Sequence, residues 1–182
     1  MKQVVTKEYA SRLLNCGMVI LVTSAYKDKR TITPCAWHMP LSKNPAAVAV
    51  ALAHKHFSSE LIKKKGAFII NIPQWSLLDK IIIWGATTGR TIDKFKTTGL
   101  TPEPGHMVPM LPRISECIGW IECSLLDVKE VGDHSLFFGE VLFVEAERDY
   151  FEKKYWNTKK VDLIFHLGAR FFFKSSEYSE VT

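Results

Sequence analysis

The chain lacks the arrangements that mark the commonest metal and nucleotide sites. Its four cysteines, Cys16, Cys35, Cys117 and Cys123, form no CxxC pair, and its six histidines form neither HExxH nor HxxxH. No zinc centre, and no other metal, is therefore expected. His54 and His56 make one HxH with no carboxylates nearby to complete a ligand set, and a polar loop accounts for them as well. No GxGxxG follows a strand pattern, which argues against a Rossmann site, and GATTGRT (85–91) has no lysine of a phosphate loop. Long apolar runs are missing too. The longest clean one, AAVAVALA, falls far short of the roughly 18 residues of a membrane span, and MKQVVTKEYASRLL has no apolar core of a secretion signal. A soluble, cytoplasmic protein without a membrane partner is expected. With no Gly/Ser linker, low-complexity tract or fixed-period repeat, residues 1–182 read as one domain.

The charge balance of +5 suits a mild attraction to anions. Lys63, Lys64 and Lys65 are the only basic run and stand just before Gly66, where cations favour a helix C-terminus. The aromatics sit inside apolar runs such as SLFFGEVLFVE rather than alternating with basic residues. No nucleic-acid partner is therefore expected, and a nucleic-acid-binding barrel is kept only as a remote competitor.

What is present is mainly strand pattern. Thr6 to Asn15 reads as an opening helix capped by Thr6, with Ala10, Leu13 and Leu14 on one face. MVILVTSA, TITPCAW and AAVAVALA read as three strands, the second disturbed by Pro34, and YKDKR as the first turn. HKHFSS is a loop, ELIKKK a short helix stopped by Gly66, and AFIINIP a strand ended by Pro73. Gln74 to Trp84 carries helical spacing, and a shorter helix then ends at Gly99. TPEPGHMVPMLP, with its four prolines, reads as a surface loop. Ile118–Val131 and Ser135–Glu147 form a hairpin about Gly132 and Asp133, and DLIFHLGARFFF supplies a last apolar segment. The sum is a mainly β fold with helical additions, expected to close as an antiparallel barrel.

Two stretches suit a ligand. TITPCAWHMPLS offers the hydroxyls of Thr31 and Thr33, a stiff point at Pro34, a thiol at Cys35, and Trp37 beside His38. Trp37 reads equally as a core aromatic, and Cys35 as packing. In KHFSSELIKKKG, Ser58 and Ser59 open a helix whose free N–H groups would hold an anion, with Lys55 adding charge. Simple capping by Ser58 explains the same serines.

These pieces, with GRTIDKFKTTGLTP, ECSLLDVKEVGDHSLFFGEV and FHLGARFF in the same order, resemble the flavin reductase-like proteins with an FMN-binding split barrel, the flavoredoxin-type members most of all. The resemblance implies that Thr31, Thr33, Pro34, Cys35, Ala36, Trp37 and His38 lie along the flavin, although asparagine is frequent in the family where Thr31 stands. It implies that Lys55, Phe57, Ser58, Ser59 and Lys94 hold the FMN phosphate, and that Arg170 and Phe171 reach the site. His134, in the family's Gly-Asp-His hallmark with Gly132 and Asp133, would approach the flavin or the incoming nicotinamide and is the candidate catalytic residue. The implied activity is hydride transfer from NADH or NADPH to flavin N5, with electrons passing to free flavin, ferric iron or an electron-transfer protein. FMN would be tightly bound or exchangeable, and the protein a homodimer. A non-enzymatic, flavoredoxin-like electron carrier is the alternative.

Overall fold

Strand β1 (Ile20–Tyr26) is buried along nearly its whole length and sends its side chains to two different cores. Ile20 and Val22 join one apolar cluster with Ile62, Phe68, Ile70 and Phe137, whereas Leu21 joins another with Ile32, Ile81, Trp84 and Phe95. Alternation along a strand places successive side chains on opposite faces, so both faces of this part of the sheet are covered. The computed structural model describes residues 2–14 and 16–176.

β1 turns at Lys27 and Asp28 into β2 (Lys29–Cys35), which pairs with it from Ile20↔Cys35 to Tyr26↔Lys29. The chain then makes β3 (His38–Lys43) and β4 (Ala46–Ala53), helix α2 (Phe57–Lys65) and β5 (Ala67–Ile72). Gly66 closes α2 in the left-handed region at φ 73°, with its N–H donated to Ile62 O. A 3-10 turn (Trp75–Leu77) leads into α3 (Leu78–Ala86), and α4 (Lys94–Thr98) ends at left-handed Gly99. The long hairpin of β8 (Gly119–Val131) and β9 (His134–Ala146) turns at Gly132 and Asp133, with Val131 opposite His134.

Seven strands form one sheet in the order β2-β1-β5-β8-β9-β4-β3. Its two edges, β2 and β3, are not joined by a ladder among the described residues. The fold is thus mainly β with helices, and the expected full closure of a barrel is not seen.

Several local expectations are corrected. The sequence pattern does not mark β3, because Pro40 disfavours a strand, yet HMPLSK forms an exposed edge strand with a register shift between Pro40 and Ser42. The proline-rich segment is more than a loop. β6 (Pro102–Pro104) pairs with β7 (Pro112–Ile114), and buried Glu122 accepts the backbone N–H groups of His106, Met107 and Val108 at 2.7–3.1 Å. Buried Asn71 joins β5 to β1 and β7, donating to Leu21 O and accepting from Ile114 N–H. The opening helix is split into a 3-10 turn (Lys7–Tyr9) and α1 (Ala10–Leu14). Thr6 makes no side-chain cap bond, and Leu13 and Leu14 are exposed rather than packed. The predicted end at Asn15 lies outside the described residues. Two further short hairpins follow, β10 (Phe151–Glu152) with β11 (Tyr155–Trp156) and β12 (Ile164–Gly168) with β13 (Phe171–Lys174).

Candidate functional site

The end of β2 forms the floor of a groove with two chambers. The first, of about 280 Å3, lies between the start of α2 with the two residues before it (Lys55 to Phe57) and the segment from Trp84 to Gly89, with Thr31, Thr33 and Lys94 below. The second, of about 460 Å3, runs from Cys35 and Ala36 past Ile81 and Ile82 to Arg170 and Phe172 of the last hairpin. Pro34, His56, Gly85 and Ala86 line both, so the chambers share a waist.

The first chamber carries Lys55, Lys94 and His56 and no carboxylate among its lining residues, an arrangement that favours an anion. Lys94 opens α4 and is buried. Its ammonium donates to Ile32 O at 2.9 Å and Trp84 O at 2.7 Å, which leaves one of three N–H groups for the groove. Burial lowers its pKa to about 8. α4 is set by Asp93, which caps it by accepting the N–H groups of Phe95 and Lys96 and pairs with Arg30 at 2.8 Å. At the rim Arg90 lies over the Phe57 ring and reaches Glu60 at 2.7 Å. The opposite wall approaches closely at Gly89. A Cβ there would meet the Thr31 hydroxyl at 2.1 Å, so glycine lets this segment cover Thr31.

The second chamber is mostly apolar, with His166 and Arg170 as polar edges. Cys35 is buried, and its single S–H is shared between Trp37 O at 3.3 Å and Ala51 O at 3.6 Å. Burial pushes its pKa up to about 12, opposed by those two hydrogen bonds, so the sulfur stays protonated and is a wall rather than a nucleophile.

The groove therefore brings together Thr31, Thr33, Pro34, Cys35, Ala36, Lys55, Phe57, Lys94 and Arg170 from the sequence-predicted set. Ser58 and Ser59 line neither chamber. Ser58 is hydrogen-bonded to the Thr33 hydroxyl at 2.8 Å and Ser59 donates to Ala53 O, so both hydroxyls serve the join of α2 to the sheet. Neither caps the helix, because α2 begins at Phe57 with His56 as its N-cap residue. His38 turns away, its ring bonded to Met18 O at 2.8 Å beside a separate apolar cavity. Burial lowers its pKa, opposed by that hydrogen bond. Phe171 is exposed, and its neighbour Phe172 lines the groove instead.

Trp37 and His134 lie outside the two chambers and pack against each other, ring centroids 4.9 Å apart and planes tilted by 30°. His134 meets the Asp133 carboxylate at 2.6 Å. The hairpin tip is tied to the loop before α2. His54 N–H donates to Asp133 O, and Glu130 contacts His54, Lys63 and Ser135. The hydrogen bonds from Lys63 and Ser135 lower the Glu130 pKa to about 2.

Sequence reasoning missed His56, Thr87, Thr88, Gly89, Ile81, Ile82, His166 and Phe172 as groove residues. The signal for three of them was in GATTGRT, where two glycines bracket a pair of threonines and mark a close backbone approach.

Residues 12–164 match the family model described as "Flavin reductase like domain". The uncharacterized protein YddH of Escherichia coli K12 is 33% identical over 175 residues, which cover 93% of this chain and 92% of the relative. A solved flavoredoxin of Desulfovibrio vulgaris (Miyazaki F) superposes with a TM-score of 0.82 at 27% identity, over 91% of this chain and 90% of that one. A flavoredoxin from Methanosarcina acetivorans reaches a TM-score of 0.87 over 100% of this chain and 95% of its own, at 21% identity, and so bears on the fold alone.

Proposed function

The chain belongs to the flavin reductase-like family, and from that premise we propose that it is an FMN-binding oxidoreductase. In this reading it takes hydride from NADH or NADPH and passes electrons to free flavin, ferric iron or a protein acceptor. The observation that carries it is the two-chambered groove, cationic at one end, apolar at the other, with a buried and unpartnered His56 Nδ1 at the waist. That donor set fits a ligand with an anionic terminus, a polar linker and a flat ring. Lys55, Lys94, Thr87 and Thr88 would hold the phosphate, and Pro34, Cys35, Ala36, Ile82 and Phe172 would wall the ring. Bound there, FMN would supply a carrier for two electrons, chemistry that no side chain offers.

The chain's own residues bind and position. Lys94 presents charge at a point fixed by two carbonyls, and protonated Cys35 adds bulk without reactivity. In this reading His134, packed against Trp37, meets the nicotinamide. In the same reading the whole chain acts as one domain in the cytoplasm, its seven-stranded sheet is the wall of a split barrel, and a second copy completes a homodimer. A second reading, a flavoredoxin-like carrier that exchanges electrons with protein partners, is supported by the likeness to the Desulfovibrio flavoredoxin.

The visible spectrum of the purified protein, followed anaerobically with NADH and then NADPH, tests both. Flavin absorption that bleaches with one nucleotide supports the reductase. Bound flavin that neither nucleotide bleaches supports the carrier, and a protein that takes up no FMN defeats both.

A further inference from the structure

His56 lines both chambers of the groove, facing Gly85 and Ala86 across the Pro34 floor. Its backbone is committed, with N–H donated to Ala53 O at 2.9 Å and the carbonyl accepting Ser59 N–H at 3.1 Å. Its side chain has no such role. The ring makes no cap bond to α2, and Nδ1 is buried without a hydrogen-bond partner. Leaving such a group unpaired is unfavourable, so its persistence in a residue that lines a ligand groove points to a partner supplied from outside the chain. Burial first, then the charges of Lys55, Lys94 and His134, lower the ring's pKa. The imidazole is thereby kept neutral, with one donor and one acceptor nitrogen, which suits a hydroxyl better than a second anion contact would.

Position decides which part of a ligand it meets. Lys55 and Lys94 line only the first chamber, and Ile81, Ile82 and Phe172 only the second. Whatever joins an anionic end to a flat end must cross the waist beside His56. We propose that His56 Nδ1 hydrogen-bonds a hydroxyl of the polyol chain linking those two ends, making His56 a specificity determinant for ligands that carry hydroxyls at the waist. This rests on the flavin reading above, in which that chain is the ribityl group of FMN.

The test is a fluorescence titration of the flavin-stripped full chain with FMN and with riboflavin, which share the ribityl chain and differ in the phosphate. His56→Leu is expected to weaken both by the same factor, about tenfold, the size of one buried hydrogen bond. His56→Asn, whose amide restores a donor and an acceptor near Nδ1, is expected to recover at least half of the loss. The flavin-free melting temperature of His56→Leu should equal or exceed that of the parent, because an unpaired buried polar atom is gone. A loss confined to FMN would move the contact to the phosphate and overturn the proposal. Unchanged affinities, or equal losses in both variants, would overturn it as well. A parent protein that binds neither flavin would defeat the flavin reading itself, and that result is recognised before any variant is compared.

Discussion

Lys94 concentrates the electrostatics of the groove in one side chain. Its charge is desolvated, with a pKa lowered from 10.5 to about 8, and two carbonyls hold it. Without ligand, the unfolded state binds the extra proton between those values, so stability should rise as pH increases from 8 to 10.5. For an anionic ligand the sign is opposite. Affinity for FMN should be level below pH 8 and decline above it, because the favourable charge is lost. Titrations between about pH 7 and 9.5 avoid the second phosphate ionisation near 6. Lys94→Met should weaken FMN binding about tenfold or more at pH 7 and abolish the inflection near 8, as expected for losing one charge-assisted contact. A variant that binds like the parent would remove Lys94 from the site. Cys35, by contrast, should resist alkylation in the folded protein, since its thiol is both buried and protonated.

Helix α4 shows how a short element depends on its ends. At five residues it is far below the length at which helices hold by themselves, about 12–15 residues. Asp93 supplies two cap bonds and the Arg30 ion pair, and Gly99 supplies the left-handed exit. Burial works to raise the Asp93 pKa, yet the bonds from Arg30, Lys96 and Phe95 together hold it below the usual carboxylate value. Its stabilisation is therefore present above the ordinary carboxylate pKa and lost as pH falls through the depressed one. Asp93→Ala should cost about 1–2 kcal/mol in urea unfolding. It should also weaken FMN binding, because Lys94 is the first residue of the helix. Asp93→Asn keeps an accepting oxygen and should recover much of both. Full FMN affinity in a destabilised Asp93→Ala would separate the cap from the site.

At the scale of the molecule, apolar surface remains where one copy offers no cover. Edge strand β3 exposes Met39 and Leu41 by 50% and 39%, Trp37 precedes it at 43%, and Leu13 and Leu14 of α1 stand in solvent. An edge strand with apolar side chains favours a partner, in keeping with the proposed homodimer. Sedimentation of the parent should give twice the 20.7 kDa chain mass, and Met39→Glu with Leu41→Glu should shift it toward the monomer. A monomeric parent at micromolar concentration would refute the dimer.

Much was written locally. The β8–β9 hairpin followed from two alternating runs about Gly132 and Asp133, and the stops of α2 and α4 followed from Gly66 and Gly99. The motif residues around Pro34 and Lys94 were likewise visible as a resemblance. Other features depended on what the chain brings alongside. β3 is a strand because β4 pairs with it, not because HMPLSK favours one. Ser58 looks like a cap or an anion ligand until Thr33 takes its hydroxyl. His56 reads in the sequence only as half of an HxH or as part of a polar loop, and only its place beside Gly85 and Ala86 makes it the waist of a groove. Sequence by itself determined periodicity, turns and caps, which act within a few residues. Tertiary structure decided which polar groups were satisfied and which were buried without a partner, because the groups that meet can lie more than 60 positions apart, as Lys94 and Ile32 do.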